Sequence, residues 1–477
     1  MNDISYYLFA IRADVALPAG LVLAAIVTLH VLLHKREVTS AAGWIGLSWF
    51  APVTGAIVYA VFGINRVQRR ARQLRAWPRQ RLAGVVAALG DDDHLHPLQR
   101  GVARVTGRPL LGGNGVEIFQ NGDTAYPPML AAIAEARLSI GLAAYIFQDD
   151  LWGGRFIEAL TAAHQRGVQV RVLIDGIGGG WVRSRAYHHL RRGGVPAQRF
   201  LHSPLPWRMP FLNLRCHKKI LVIDGMVGFA GGMNIADQNV LAVPARAPVP
   251  GPVQDTHFRL RGPIVAQLVE AFAQDWAFAS NEILEGDAWF PDIADGDSTP
   301  ARVIDSGPDE DIEKIEFAVL QAVSCARHSI AVMTAYFLPD ERLITALSLA
   351  AMRGVDVDIV VPAISDQRKI DCAFRANIGP LLSDGVRLWR CPPPFRHSKI
   401  MVVDGEWCLI GSSNWDIRSF RLNFEMCVEF YDSALAGALS AFMKANRGAA
   451  LTQAELDRRS FPGRLRDAAV RMLLPYL

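Results

Sequence analysis

What this chain lacks narrows its class first. Its 477 residues include only six cysteines, Cys216, Cys325, Cys372, Cys391, Cys408 and Cys427, and no two form a CxxC pair. That excludes a zinc ribbon or a thioredoxin-type redox motif and predicts free thiols in a reducing compartment. The twelve histidines contain no HExxH pattern, so neither a metal nor a cofactor is expected. A strong charge of one sign is also missing. Lys and Arg number 50 against 46 Asp and Glu, a net of +4, which provides no global field for nucleic acid, and none is expected as a partner. Charged residues make up 20% of the chain and hydrophobic ones 51%, a high apolar share that predicts a membrane part. The length exceeds what one hydrophobic core supports and predicts two or three domains.

The apolar excess sits at the start. From Val15 to Leu33 only Thr28 and His30 interrupt an apolar run, and from Ala41 to Gly63 a second run carries Trp44, Trp49 and Tyr59. A helix of about 20 such residues spans a hydrocarbon core of about 30 Å. The short "HKREVTSA" between them predicts a two-helix transmembrane hairpin. A cleaved signal peptide fits less well, because the basic start is weak and a second apolar run follows. After Gly63 come Arg66, Arg69, Arg70, Arg72, Arg75, Arg79 and Arg81 with no acid among them, whereas the hairpin loop offers only Lys35 and Arg36. The positive-inside rule then places both hairpin ends and everything after them in the cytoplasm. The arginines beside a span would also attract an anionic membrane surface. "DDDHLHP" at Asp91–Pro97 reads as a linker.

The remainder contains one unit twice. "AEARLSIGLAAYIFQDD" from Ala134 matches "SCARHSIAVMTAYFLPD" from Ser324. Each reads as a helix end followed by a strand that closes in aromatics, Tyr145 and Phe147 or Tyr336 and Phe337. Helical apolar spacing follows, stopped by Arg166–Gly167 or Arg353–Gly354, and then a β-branched run suited to a strand covered on both faces. The fold class is therefore α/β, two similar repeats expected to pack about a pseudo-twofold axis.

Each repeat ends in the same polar pattern. "RCHKKILVIDG" from Arg215 places His217, Lys219 and Asp224; "RHSKIMVVDG" from Arg396 places His397, Lys399 and Asp404; Asn234 and Asn414 each follow ten positions after the aspartate. Histidine and lysine two apart on a strand share a face. If the two strand ends meet at the axis, two imidazoles and two ammonium groups make a pocket for a phosphate, with no metal. One histidine attacks phosphorus, and the other protonates the departing alcohol and deprotonates the incoming one. The lysines, with Asn234 and Asn414, bind the phosphate oxygens. Asp255 and Glu425, on strands after the two motifs, are the acceptors available to fix the imidazoles. Asp224 and Asp404 complete the two catalytic sets by spacing, although each precedes glycine and is equally suited to shaping a turn.

This doubled pattern resembles the phospholipase D superfamily. "GGMNIAD" from Gly231, "DTHFRLRGP" from Asp255, "SGPDED" from Ser306 and "GSSNWDIRSFRLNFE" from Gly411 narrow the likeness to bacterial membrane-bound cardiolipin synthases. The resemblance implies two phospholipase D-like α/β/α sandwich repeats after the hairpin. The expected boundaries are 1–65 for the hairpin, 66–115 for a basic segment and linker, 116–298 and 299–446 for the repeats, and 447–477 for an amphipathic tail. It implies phosphatidyl transfer between two phosphatidylglycerol molecules through a phosphohistidine on His217, with His397 as acid and base, at the bacterial inner membrane. Hydrolytic phospholipase D and a membrane-tethered phosphodiesterase or nuclease are the alternatives. Cys216 and Lys218 depart from the family's usual asparagine and arginine, which predicts tuning of the site without its loss. Two stretches bear on lipid contact. "HSPLPWRMPFLNLR" from His202 is either a packed loop or a lip over the site. The tail carries Leu465, Val470, Leu473 and Leu474 on one helical side, suited to headgroup contact or to docking on the protein.

Overall fold

The computed structural model describes residues 2–35, 38–63, 86–90, 92–202, 214–242, 251–293, 298–308 and 313–472. The arginine run 66–81, the segment 203–213, and Leu473 and Leu474 lie outside the described residues. The chain forms two compact units, one of residues 1–70 with 205–213 and one of 71–204 with 214–477.

In the first unit a helix Asn2–His34 turns into a helix Val38–Phe50. The second apolar run does not continue as one helix. It breaks at Ala51, which is non-helical (φ −141°, ψ 76°), and resumes as Pro52–Val58. Proline disfavours helical backbone in the residue before it and suits the first turn of the next helix, so Pro52 both ends and restarts the run. Val27, Val31 and Tyr59 form the buried contact, with Ala41, Trp44 and Ala56 against them. Most other large apolar side chains here face outward; Phe50 is 94% exposed and Leu33 71%. Among the described residues no helix is long and apolar enough to cross a membrane.

The second unit is built on one continuous sheet whose two halves repeat each other. From its middle outward, the first half runs 111–120, 256–261, 227–231, 220–223, 139–144, 169–175 and 197–200. The second runs 299–306, 423–431, 407–411, 400–403, 329–333, 356–362 and 387–391, with a short edge strand at 450–451. The halves join antiparallel where Leu111 pairs with Ala301 and Asn114 with Thr299. The strand 111–120 also pairs with 256–261 through Gly115–Gln120, so it serves both halves and crosses the boundary expected at 116. Arg108 ties the seam: its guanidinium bonds Glu270 at 2.9 Å on the first-half side and Asp305 at 2.7 Å on the second. Each half buries its own apolar core between sheet and helices.

The stretch read as a linker near Asp91–Pro97 is part of that packing. A helix His96–Thr106, ended by Gly107 in the left-handed conformation (φ 66°), lays Leu98 and Val102 into the second-half core beside Leu95. Its apolar residues recur three to four apart, a helical period masked in sequence by the acidic run before it. The C-terminal helix Phe461–Arg471 docks on the helix Arg368–Asn377. Asp467 is buried between them and accepts from Arg375, Arg459 and Arg466. Val470 packs toward Ile370 and Ala373, whereas Leu465 stays 60% exposed.

Candidate active site

His217 and His397 stand three residues ahead of equivalent strands, Ile220–Ile223 and Ile400–Val403. Their ring centroids are 6.4 Å apart with planes at 77°. Both side chains are buried, as are Lys219, Lys399, Asn234 and Asn414. The alternation expected of a strand holds: Cys216 and Lys218 take the opposite face. Lys218 pairs there with Asp275 at 2.9 Å, and the Cys216 thiol lies 3.9 Å from the same carboxylate. Burial pushes that thiol well above its ordinary range, which leaves it unreactive. All six cysteines are free.

The carboxylates cross between the halves. Glu425, from the second half, accepts from Nδ1 of His217 at 3.0 Å. Asp255, from the first, lies 2.8 Å from Nδ1 of His397. Backbone pairing enforces this. Arg215–Cys216 runs parallel to Asn423–Phe424, and the N–H of His217 donates to the Phe424 carbonyl at 2.9 Å. Phe395–Arg396 runs parallel to Val253–Gln254, and the N–H of His397 donates to the Gln254 carbonyl at 2.7 Å. Each histidine thereby hydrogen-bonds the residue just ahead of the other half's carboxylate. The sequence offered both carboxylates but not this assignment, because short parallel bridges leave no periodic signal.

The surroundings of the two imidazoles differ. Nδ1 of His217 faces two acceptors, Glu425 and the Ser412 carbonyl at 3.1 Å, so it carries the proton and Nε2 presents its lone pair. Ser412 also donates to Glu425 at 2.5 Å, and Asn423 does so at 3.1 Å. Nδ1 of His397 lies between Asp255 and Nζ of Lys399, the latter at 2.7 Å. Lys219 donates to the His217 carbonyl at 2.6 Å, and Lys399 to that of His397. Tyr145 meets His217 edge-to-face at 4.9 Å, and Tyr336 meets His397 at 6.3 Å.

Burial dominates the titration of this group. It lowers His217 well below its usual value and His397 to about 4, with neighbouring lysines adding to both shifts. Lys219 falls to about 7 and Lys399 to about 8, again through burial first. The two carboxylates separate. Burial raises Glu425 to about 7, whereas His397 and Lys399 hold Asp255 below its usual range in spite of burial. An anion placed between the two lysines would favour their charged forms and oppose this lowering.

Asp224 and Asp404 are not in the site, which corrects their placement with the catalytic sets. Each lies at the far end of its strand, roughly 15 Å along the chain from the lysine. Asp224 accepts from the backbone N–H groups of Arg137, Leu138 and Ser139 at 2.7–3.2 Å. Asp404 does the same for Arg327, His328 and Ser329 at 2.7–2.9 Å and also bonds His94. Both have positive φ (52° and 53°) ahead of glycines that share it, the geometry of a tight hairpin turn. Asn234 accepts from the N–H of Ile146 at 3.2 Å, which leaves its amide donors for other use. Sequence reasoning missed Ser412, Tyr145 and Tyr336 as neighbours of the histidines. It also missed His257, two residues after Asp255, which is buried with an Nδ1 that has no partner among the described residues.

Comparison with known proteins decides the family. The model for the "Cardiolipin synthase, PLD-like domain" family matches residues 129–276 and 319–446. The chain belongs to this family. A second model, "Phospholipase_D-nuclease N-terminal", matches residues 22–63. Among curated members, cardiolipin synthase A of Pseudomonas aeruginosa is 32% identical over 457 residues, 92% of this chain and 90% of that protein. The major cardiolipin synthase of Bacillus subtilis is 30% identical, over 93% of this chain and 95% of its own. Among solved structures, the phosphatidylserine synthase of Haemophilus influenzae covers 80% of this chain and 100% of its own at a TM-score of 0.60 and 15% identity. That match supports the phospholipase D-like fold of the family, two α/β repeats on one sheet.

Proposed function

We propose that this chain is a cardiolipin synthase. It moves a phosphatidyl group from one phosphatidylglycerol to another and releases glycerol. The observation that carries the reading is the pair of buried histidines, 6.4 Å apart, with a lysine beside each and the other half's carboxylate behind each.

Nε2 of His217 attacks phosphorus and displaces glycerol, leaving a phosphohistidine. His397 gives its proton to the departing oxygen. It then takes the proton of the second lipid's hydroxyl as that oxygen displaces His217. This order is the one the family resemblance implies, and the carboxylates favour it. Asp255, held below its usual range, offsets part of the burial that lowers His397 and so supports an imidazolium there, whereas Glu425, pushed to about 7, gives His217 less of that support. The lysines and the amides of Asn234 and Asn414 take the phosphate oxygens. Lysine charge stands where a metal's would otherwise be needed, and activity is expected to survive chelation.

The N-terminal helices fit a membrane hairpin at the inner membrane. Their outward-facing Leu21, Val22, Ile26, Leu29 and Leu33 form an apolar surface that water disfavours and lipid accepts. The arginines that follow favour a cytoplasmic catalytic unit. The test is purified full-length protein in phosphatidylglycerol micelles with product analysis. Cardiolipin and glycerol in equal amounts are expected. Phosphatidic acid as the main product would make the chain a hydrolase, and cleavage of DNA but not lipid would make it a nuclease.

A further inference from the structure

Pseudo-symmetry gives every residue beside His217 a counterpart beside His397, and the two ends of the site disagree in chemistry. Aligning Arg166–Gly167 with Arg353–Gly354 sets Gly178, Gly179 and Gly180 against Ser365, Asp366 and Gln367. In the first half this loop closes on the tyrosine and has no room for a side chain, since a Cβ at Gly178 would lie 2.5 Å from the Tyr145 ring. In the second half the loop projects side chains instead. The Tyr336 hydroxyl lies 2.8 and 3.0 Å from the two oxygens of Asp366 and 3.3 Å from the Gln367 amide nitrogen. Asp366 and Gln367 are exposed. The HxK alignment likewise sets Arg215 against Phe395. Phe395 lies 6.1 Å from the rings of both Tyr336 and His397. Both ends have a tyrosine beside the histidine, but at the His397 end Phe395, Asp366 and Gln367 stand where the other end has Arg215 and glycines.

We propose that Asp366 and Gln367, over the wall of Tyr336 and Phe395, form a polyol subsite beside His397 that holds the glycerol headgroup through its free hydroxyls. The proposal rests on the cardiolipin synthase reading and on His397 as acid and base. A carboxylate accepts hydrogen bonds from neighbouring hydroxyls and repels a phosphodiester, so it directs the alcohol to this end and the phosphate to the lysines. The same subsite serves both steps. In the first, the His217 N–P bond forms as the glycerol O–P bond breaks and the His397 proton passes to that oxygen. In the second, the acceptor's glycerol O–P bond forms as the N–P bond breaks and its proton returns to His397. Both alcohols occupy the same side of phosphorus.

The test is a competition that does not depend on overall activity. Full-length enzyme in mixed micelles receives phosphatidyl-p-nitrophenol, whose leaving group has no hydroxyls, with glycerol and methanol as rival acceptors. The reading is the ratio of phosphatidylglycerol to phosphatidylmethanol. Wild type is expected to favour glycerol per mole. Asp366→Ala should lower the ratio about tenfold, the scale of losing a hydrogen bond to a charged group, with Asp366→Asn between. A merely structural aspartate would depress both products and leave their ratio fixed, which would overturn the proposal, as would a wild type with no preference. A wild type that makes no cardiolipin from phosphatidylglycerol alone would instead remove the reading beneath it.

Discussion

Crossed orientation makes a prediction that chain order alone would reverse. Glu425 belongs to the second repeat but holds the first repeat's histidine at 3.0 Å. Glu425→Gln should therefore behave like a defect in His217, and Asp255→Asn like a defect in His397. A hydrogen bond to a charged group is worth about 1.5–3 kcal/mol, which alone predicts a ~10–150-fold loss. The amide also unsettles the tautomer that leaves Nε2 of His217 unprotonated, and loss of that control in a comparable triad costs up to ~10⁴-fold. The expected loss for Glu425→Gln lies between these values. The assay is covalent trapping with a radiolabelled phosphatidyl donor whose leaving group needs no proton, quenched in alkali, where phosphohistidine survives. Asp255→Asn and His397→Ala should still place label on residue 217, because they damage only the proton donor. Glu425→Gln should label slowly, and His217→Ala not at all. Normal labelling of Glu425→Gln together with none in Asp255→Asn would refute the crossed assignment. Label on His397 in His217→Ala would reverse the two roles.

Asp224→Ala and Asp404→Ala should each lose roughly 2–4 kcal/mol of stability as several backbone N–H groups lose their acceptor, while the activity per folded molecule stays within about twofold; thermal unfolding and active-site titration check this. Affinity for sulfate, which does not itself titrate here, should be strongest below the lysine values of about 7 and 8 and fall as pH rises through them. The sign follows because a bound anion raises both lysines, so binding takes up protons; a drop of at least about tenfold between pH 6.5 and 9 in titration calorimetry is expected, and a flat profile would contradict it. A cysteine near Asp91 in a cysteine-free background should resist an impermeant thiol reagent on intact cells, and labelling there with protection near Glu37 would invert the topology.

The sequence reveals the site more completely than the fold around it. His217, Lys219, His397 and Lys399 are legible because strand alternation and duplication fix both their face and their meeting point. Asp224 shows the limit of spacing: a turn-forming aspartate and a catalytic one occupy the same place in the pattern, and only its backbone partners tell them apart. The crossed carboxylates were hidden for another reason. Two-residue parallel bridges such as Arg215–Cys216 with Asn423–Phe424 are too short to carry periodicity. Apolar run length likewise overstated the second N-terminal helix, where one proline breaks a run that hydropathy reads as continuous. The tail was half legible: Val470 turns inward, but no pattern in the sequence marks Asp467, the residue that anchors the helix.

The exchange of carboxylates has a consequence for how the two halves can have changed over time. A lesion in one repeat's acid is felt by the other repeat's histidine, so neither half can be released from selection while its twin keeps the activity. The usual freedom of a duplicated unit, in which one copy preserves the old role and the other drifts, is closed at these four positions. It stays open at places such as Gly179 and Asp366, where the halves have already parted. A gene split between the repeats would yield two products that are each inert and regain chemistry only by finding one another.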